Sequence, residues 1–239
     1  MKRGAASLAL TSLVAALAVF APSALAGNNA KLVVVPLPAA GDLVTDSAVA
    51  RKSPSPTAPK VLLLHQFRTY DYRIQEVLAV GAKRGTDGKL WYKLSLPMRP
   101  NNTTGWVPAG DLELHHVVNR ILIDIGARRM EVLRGKQVLY STKVAVGAPG
   151  RETPTGNYYV QVRFVPTNDP FLGVFAFETS AYSKLTEWPG GGIVGIHGTD
   201  EPWLIGQAVS HGCVRMTNTA ALALKQLVPL GTPITIVQD

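Results

Sequence analysis

The chain has 239 residues, of which 46% are apolar, with a formal charge of +8, five histidines and one cysteine. That is enough apolar content for a sizeable core, while a single cysteine excludes an internal disulfide. No Lys/Arg stripe with interleaved aromatics is present, so no nucleic-acid partner is expected.

Residues 1–26 read as a secretory signal peptide. Lys2 and Arg3 precede an apolar run from Ala5 to Phe20, and Ser23-Ala24-Leu25-Ala26 fits an A-x-A cleavage rule. An uncleaved anchor is the competing reading, but the run is alanine-rich and short of the ~20 residues a spanning helix needs. Cleavage removes two positive charges and no acid, leaving +6. The mature chain is therefore expected to be secreted, in the cell wall or periplasm, with no membrane span. A modest positive excess suits a polyanionic neighbourhood such as a bacterial wall.

Residues 27–58 are small and polar with scattered prolines, ending in "RKSPSPTAPK". Ser53-Pro54-Ser55-Pro56 suits neither a helix nor a central strand, so this stretch reads as a tether. From 59 to 115 the chain is strand-rich. "KVLLLHQF", "IQEVLAVGAKR", "KLWYKLSLP" and "GWVPAGDLEL" are short apolar runs separated by "TDG" and "PNNTTG" turns. Runs this short suit a small, partly open β-barrel. Gly105-Trp106-Val107-Pro108-Ala109-Gly110-Asp111-Leu112 resembles the closing segment of bacterial SH3-like domains. Trp91, Tyr92 and Trp106 are read as barrel core, with a ligand groove as the alternative. His65, His115 and His116 are read as surface or packing residues.

Residues 117–239 form a second β-rich region. "NRILIDIG", "RRMEVLRG" and "KQVLYSTKVAVG" are strands, with Gly126 and Gly135 at hairpin turns. Another alternating strand follows the Pro/Gly turns of "GAPGRETPTGNYYVQVRF". One helix is predicted over "TAALALKQLV", capped by Thr217 or Asn218 and stopped by Pro229 and Gly231. "TPITIV" closes the chain as a strand. The fold expected is mainly β, with one or two helices.

The chemistry concentrates in "GIHGTDEPWLIGQAVSHGCVRMTN", which holds the only cysteine, Cys213. A free thiol has a pKa of about 8.5, so it needs a base near neutral pH. His211 lies two residues before Cys213, and His197 ends a separate strand after "GGIVGI". Either imidazole could accept the proton on spacing alone, leaving a thiolate–imidazolium pair. Gly212 lets the amides of Gly212 and Cys213 converge on one oxyanion. Ser210 and Asn218 can fix the loop by hydrogen bonds, and Arg215 can hold a carboxylate from the protein or from a substrate.

This string resembles the signature of the YkuD-type L,D-transpeptidases: a histidine, a loop, then Ser/Thr-His-Gly-Cys-apolar-Arg with a nearby Asn. "VGAPGRETPTGNYYV" looks like a second segment of that family. The resemblance covers 117–239 and implies a peptidoglycan-acting enzyme. Its cysteine would attack a tetrapeptide stem, release D-alanine, and hand the thioester to a neighbouring stem amine as a 3→3 cross-link. On that resemblance Cys213 is the nucleophile, His197 the base, and His211 a positioning or oxyanion-site residue. Where some members carry a serine after the base, this chain has Gly198, so the group orienting His197 is left open. No metal or organic cofactor is expected, and the protein is expected to be a monomer.

Three other readings stand beside this one. His197, His211 and Cys213 are of the right types for a zinc triad, although His-Gly-Cys leaves little room for partners. The chain could instead be a wall-binding protein whose SH3-like part does the work. Finally, water could resolve the acyl-enzyme, giving an L,D-carboxypeptidase or endopeptidase.

Overall fold

The chain passes from one sheet to a second at Val117. The computed structural model describes residues 34–187 and 190–239, all within one compact unit. The signal-peptide reading of 1–26 lies outside the described residues.

The first sheet contains β1 (Ala39–Leu43), β2 (Ser47–Arg51), β3 (Lys60–His65), β4 (Val77–Arg84), β5 (Leu90–Ser95), β6 (Thr104–Pro108) and β7 (Leu112–His116). Their order is β3-β2-β6-β5-β4-β1-β7. Leu43, Leu64, Val77, Tyr92, Leu94 and Val107 fill its core. Trp91 is also buried, and Trp106 is half-buried. All six neighbouring pairs are antiparallel, and three of them, β2–β3, β4–β5 and β5–β6, join strands consecutive in the chain.

This sheet starts earlier than expected. Residues 27–58 were expected to be a tether, but β1 and β2 lie inside that range and pair with β4, β7, β3 and β6. The physical reason is alanine. Ala39, Ala40, Ala48 and Ala50 are almost fully buried, where a small side chain lets strands pack closely, yet alanine carries little strand signal in sequence. The Ser/Pro run is a tied loop between β2 and β3. Ser55 Oγ accepts from Thr86 Oγ1 at 2.9 Å, and Arg51 Nη1 donates to the Ala58 carbonyl at 2.7 Å.

The second half contains β8 (Asn119–Asp124), β9 (Arg129–Arg134), β10 (Gln137–Lys143), β11 (Val146–Gly147), β12 (Gly156–Phe164), β13 (Ala176–Tyr182), β14 (Ile193–His197), β15 (Ala208–Ser210), β16 (Val214–Arg215), α1 (Asn218–Leu227) and β17 (Pro233–Val237). Eight of these strands form one sheet, ordered β10-β9-β8-β17-β12-β13-β14-β16, and β11 pairs in parallel with β15. Gly135 takes the left-handed conformation in the β9–β10 turn, at φ 57°. Thr217 caps α1 by accepting from the Ala220 amide, a contact typically worth about 1 kcal/mol. The helix buries Ala220, Ala221 and Leu224 against the sheet.

Ala40, Leu78, Val117 and Tyr159 form a small core where the two halves meet. Tyr159 Oη donates to the Glu76 carbonyl at 3.1 Å. The Glu76 side chain is itself buried, and burial, aided by nearby Asp42, pushes its carboxyl up to about 8. Arg68 pairs with Glu178 across the same junction.

Candidate active site

Strand alternation places the chemistry. In β14, Val194 and Ile196 enter the hydrophobic core, as do Val214 and Met216 on the neighbouring segment. Successive side chains on a strand face opposite ways, so Gly195 and His197 face away from that core. The β14–β16 pair is parallel, with Ile196 beside Val214 and His197 beside Arg215. Cys213 therefore arrives opposite Gly195. The Gly195 amide donates to Cys213 Sγ at 3.3 Å. A Cβ built on Gly195 would sit 3.6 Å from that sulfur and 3.5 Å from His197 Cδ2, so ring and sulfur flank one point.

His197 is buried, and its Nδ1 is bonded to the Gly198 carbonyl at 2.6 Å. A carbonyl accepts only, so Nδ1 carries the proton and Nε2 keeps the lone pair. Nε2 has no hydrogen-bond partner among the described residues. The backbone carbonyl of Gly198 is thus the group that orients the ring.

Burial dominates the electrostatics. It pushes His197 down to about 4, with Arg215 adding to the effect and the Gly198 carbonyl and Asp169 opposing it. Burial also pushes the Cys213 thiol up, opposed by the Gly195 amide and by Arg215. Both shifts favour neutral forms. The neutral thiol and the neutral imidazole are thus the forms that burial favours here, against the ion pair that proximity alone suggests.

The turn carrying Cys213 is held from three sides. Ser210 Oγ donates to the Cys213 carbonyl at 2.5 Å and accepts from the Gly212 amide at 3.1 Å. Ser183 Oγ donates to the His211 carbonyl at 2.9 Å. Thr153 Oγ1 donates to the Gly212 carbonyl, also at 2.9 Å. Gly212 sits at φ 120°, a conformation that side chains rarely adopt. This geometry alters the expected oxyanion pair. The Gly212 amide is spent on Ser210, and the Cys213 amide is the one left without a partner among the described residues.

The remaining predicted residues separate by burial. His211 is exposed, with its ring against Arg151. Arg215 is buried, bonded to Glu201 at 3.0 Å, and lies over the Phe171 ring at 4.3 Å. Its carboxylate partner thus comes from the protein. Asn218 Oδ1 accepts from the Val174 and Thr199 amides, each at 3.2 Å, which pins the loop after His197. Phe171, whose ring centroid is 5.7 Å from that of His197, was not singled out in sequence. It lies in "NDPFLG", a turn-like run with no chemical signature. Thr153 was detectable only as part of "RETPTG". Among the described residues, no group of three His, Cys, Asp or Glu side chains is arranged to hold a metal ion.

Residues 118–236 match the family model of the L,D-transpeptidase catalytic domain, YkuD. The candidate L,D-transpeptidase YkuD of Bacillus subtilis (strain 168) is 35% identical over 116 residues, covering 48% of this chain and 64% of that protein. The candidate L,D-transpeptidase YqjB of the same organism is 28% identical over 128 residues, covering 50% and 71%. The solved structure of Bdellovibrio bacteriovorus Bd1075 is 26% identical, covering 51% of this chain and 48% of that one, with a TM-score of 0.42.

Proposed function

Residues 118–236 belong to the YkuD family of L,D-transpeptidase catalytic domains, and from that we propose that the protein cross-links peptidoglycan outside the cytoplasmic membrane through a thioester on Cys213. The observation that carries this reading is the shared flank of Gly195. The Cys213 sulfur and the edge of a histidine ring with a free Nε2 meet there.

The steps follow from the atoms in place. Cys213 Sγ attacks the carbonyl that joins a diamino acid to the terminal D-alanine of a tetrapeptide stem, and its proton passes to His197 Nε2. The carbonyl oxygen becomes an oxyanion, for which the unpartnered Cys213 amide is the available main-chain donor. Collapse breaks the C–N bond, and D-alanine leaves with the proton from His197. A side-chain amine of a second stem then attacks the thioester, losing a proton through His197 as the sulfur is restored. The product is a 3→3 cross-link. Arg215, Phe171 and Asn218 hold the histidine loop and do not react. The N-terminal sheet, packed on the catalytic half, is read as part of a rigid enzyme.

A second reading shares every step up to the thioester and ends with water, giving an L,D-carboxypeptidase. Incubation of the protein with a disaccharide-tetrapeptide, followed by mass spectrometry of the products, separates the two. A dimer lacking one D-alanine supports cross-linking, and a tripeptide monomer supports hydrolysis. Unchanged substrate contradicts both and favours a wall-binding role.

A further inference from the structure

The turn between β5 and β6 belongs to the N-terminal sheet, but its side chains bond the catalytic half. Asn101 clasps one residue of β13 through both ends of its amide: Nδ2 donates to the Tyr182 carbonyl at 2.8 Å, and Oδ1 accepts from the Tyr182 amide at 3.0 Å. Asn102 bridges two residues at the start of β12. Its Oδ1 accepts from the Asn157 amide at 2.7 Å, and its Nδ2 reaches the Thr155 carbonyl at 3.4 Å. Asn102 holds φ 64°, a left-handed conformation that asparagine tolerates better than most residues. Gly156 makes room for it, since a Cβ there would lie 2.2 Å from Asn102 Oδ1. Arg99 adds bonds to the carbonyls of Ser183 and Gly191, both at 2.8 Å. A groove of about 690 Å³ runs between this turn and residues 152–155 and 182–184.

These clasps fall beside two of the three hydroxyls that hold the turn carrying Cys213. Ser183 follows Tyr182, and Thr153 precedes Thr155 by two residues. Both hydroxyl-bearing residues are almost fully buried. Thr153 also accepts from the Gly147 amide at 2.9 Å, so its proton is committed to the Gly212 carbonyl. A trans peptide is planar, and its N–H points opposite to its C=O. Holding the Gly212 carbonyl therefore fixes the direction of the Cys213 N–H, the amide left open for an oxyanion.

We propose that Asn101 and Asn102 are positioning residues of the active site: Asn102 acts through Thr153 to aim the Cys213 amide at the oxygen of the acyl intermediate, and Asn101 acts through Ser183 to hold the preceding His211–Gly212 peptide on which that aim depends. The N-terminal sheet is then a working part of the catalytic machinery. This inference rests on the acyl-transfer reading and adds residues from the first half of the chain to it. Removing an oxyanion donor costs about 10²–10³ in rate. Loosening its aim should cost less, roughly tenfold.

The test compares two reactions of Cys213 in the full chain at one pH: acylation by p-nitrophenyl acetate, which passes through an oxyanion, and alkylation by iodoacetamide, which does not. In Asn101→Ala and Asn102→Ala, acylation should fall roughly tenfold while alkylation stays within about twofold. Thr153→Val should show the same split more strongly, and Thr153→Ser should restore acylation. Asn101→Ser keeps a smaller group that can still donate or accept, so it serves where the alanine variant does not fold, and it should lower acylation by an intermediate factor. Acylation and alkylation falling together, or acylation unchanged, would overturn the proposal. A wild-type protein that takes the ester but leaves tetrapeptide stems untouched would remove the cross-linking reading and leave this inference standing.

Discussion

The Gly195 amide donates to Cys213 Sγ across a parallel strand pair, in a pocket where burial raises the thiol and lowers His197. The sulfur thus has a main-chain donor on it, in surroundings that favour the uncharged thiol. Its reactivity toward iodoacetamide should climb about tenfold per pH unit from pH 6 to beyond 8.5, without an acidic plateau. Stopped-flow alkylation across pH 5–10 measures this. A plateau beginning below pH 7 would mean a standing ion pair and would contradict the electrostatic account.

The two histidines differ in burial, and so should their variants. His197→Ala removes the imidazole beside the sulfur and should slow acyl-enzyme formation by roughly 10²–10⁴. His211→Ala removes an exposed ring resting on Arg151 and should cost less than tenfold, since it is the His211 carbonyl that the turn uses. Cys213→Ser should abolish thioester formation. Equal losses for the two histidine variants in a carbapenem-acylation assay would undo the assignment of His197 as base.

Ser210 is fully buried and serves two main-chain groups of the catalytic turn. Ser210→Ala leaves the Gly212 amide and the Cys213 carbonyl short of a partner. The expected loss is about 1–3 kcal/mol in denaturant unfolding, together with slower acylation. A variant as stable and as fast as wild type would show that the turn holds itself.

Two buried groups give stability opposite pH slopes. His197 stays neutral in the folded state down to about 4, while the unfolded chain takes up its proton near 6.5. Its contribution is thus present above pH 6.5 and lost as pH falls toward 4, on the order of 3 kcal/mol in all. Glu76 is raised to about 8, so its contribution is present below about pH 4.5 and lost as pH rises toward 8. Urea midpoints across pH 4–9 should show an acid limb that flattens in His197→Gln and an alkaline limb that flattens in Glu76→Gln. An alkaline limb unchanged in Glu76→Gln would contradict the buried-acid reading.

The second half of the chain was the more legible. Alternation marked β8, β9, β10, β12 and β17, and the Thr217 cap with Pro229 and Gly231 marked α1, because branched side chains and helix caps leave strong local signals. The order His197, Ser210, His211, Gly212, Cys213 pointed to the candidate site. Contacts between distant segments were not legible. Nothing in "PNNTTG" announces a clasp on Tyr182 and Asn157, and nothing local distinguishes a buried alanine strand such as β2 from a linker. The role of Gly198 was also hidden, since a backbone carbonyl has no letter in the sequence.

The most direct test is the intact mass of the protein after brief exposure to a disaccharide-tetrapeptide without acceptor, followed by peptide mapping. The account predicts an adduct on Cys213 equal to the donor less D-alanine, absent in Cys213→Ser. Donor left whole and Cys213 unmodified at saturating concentration would contradict it.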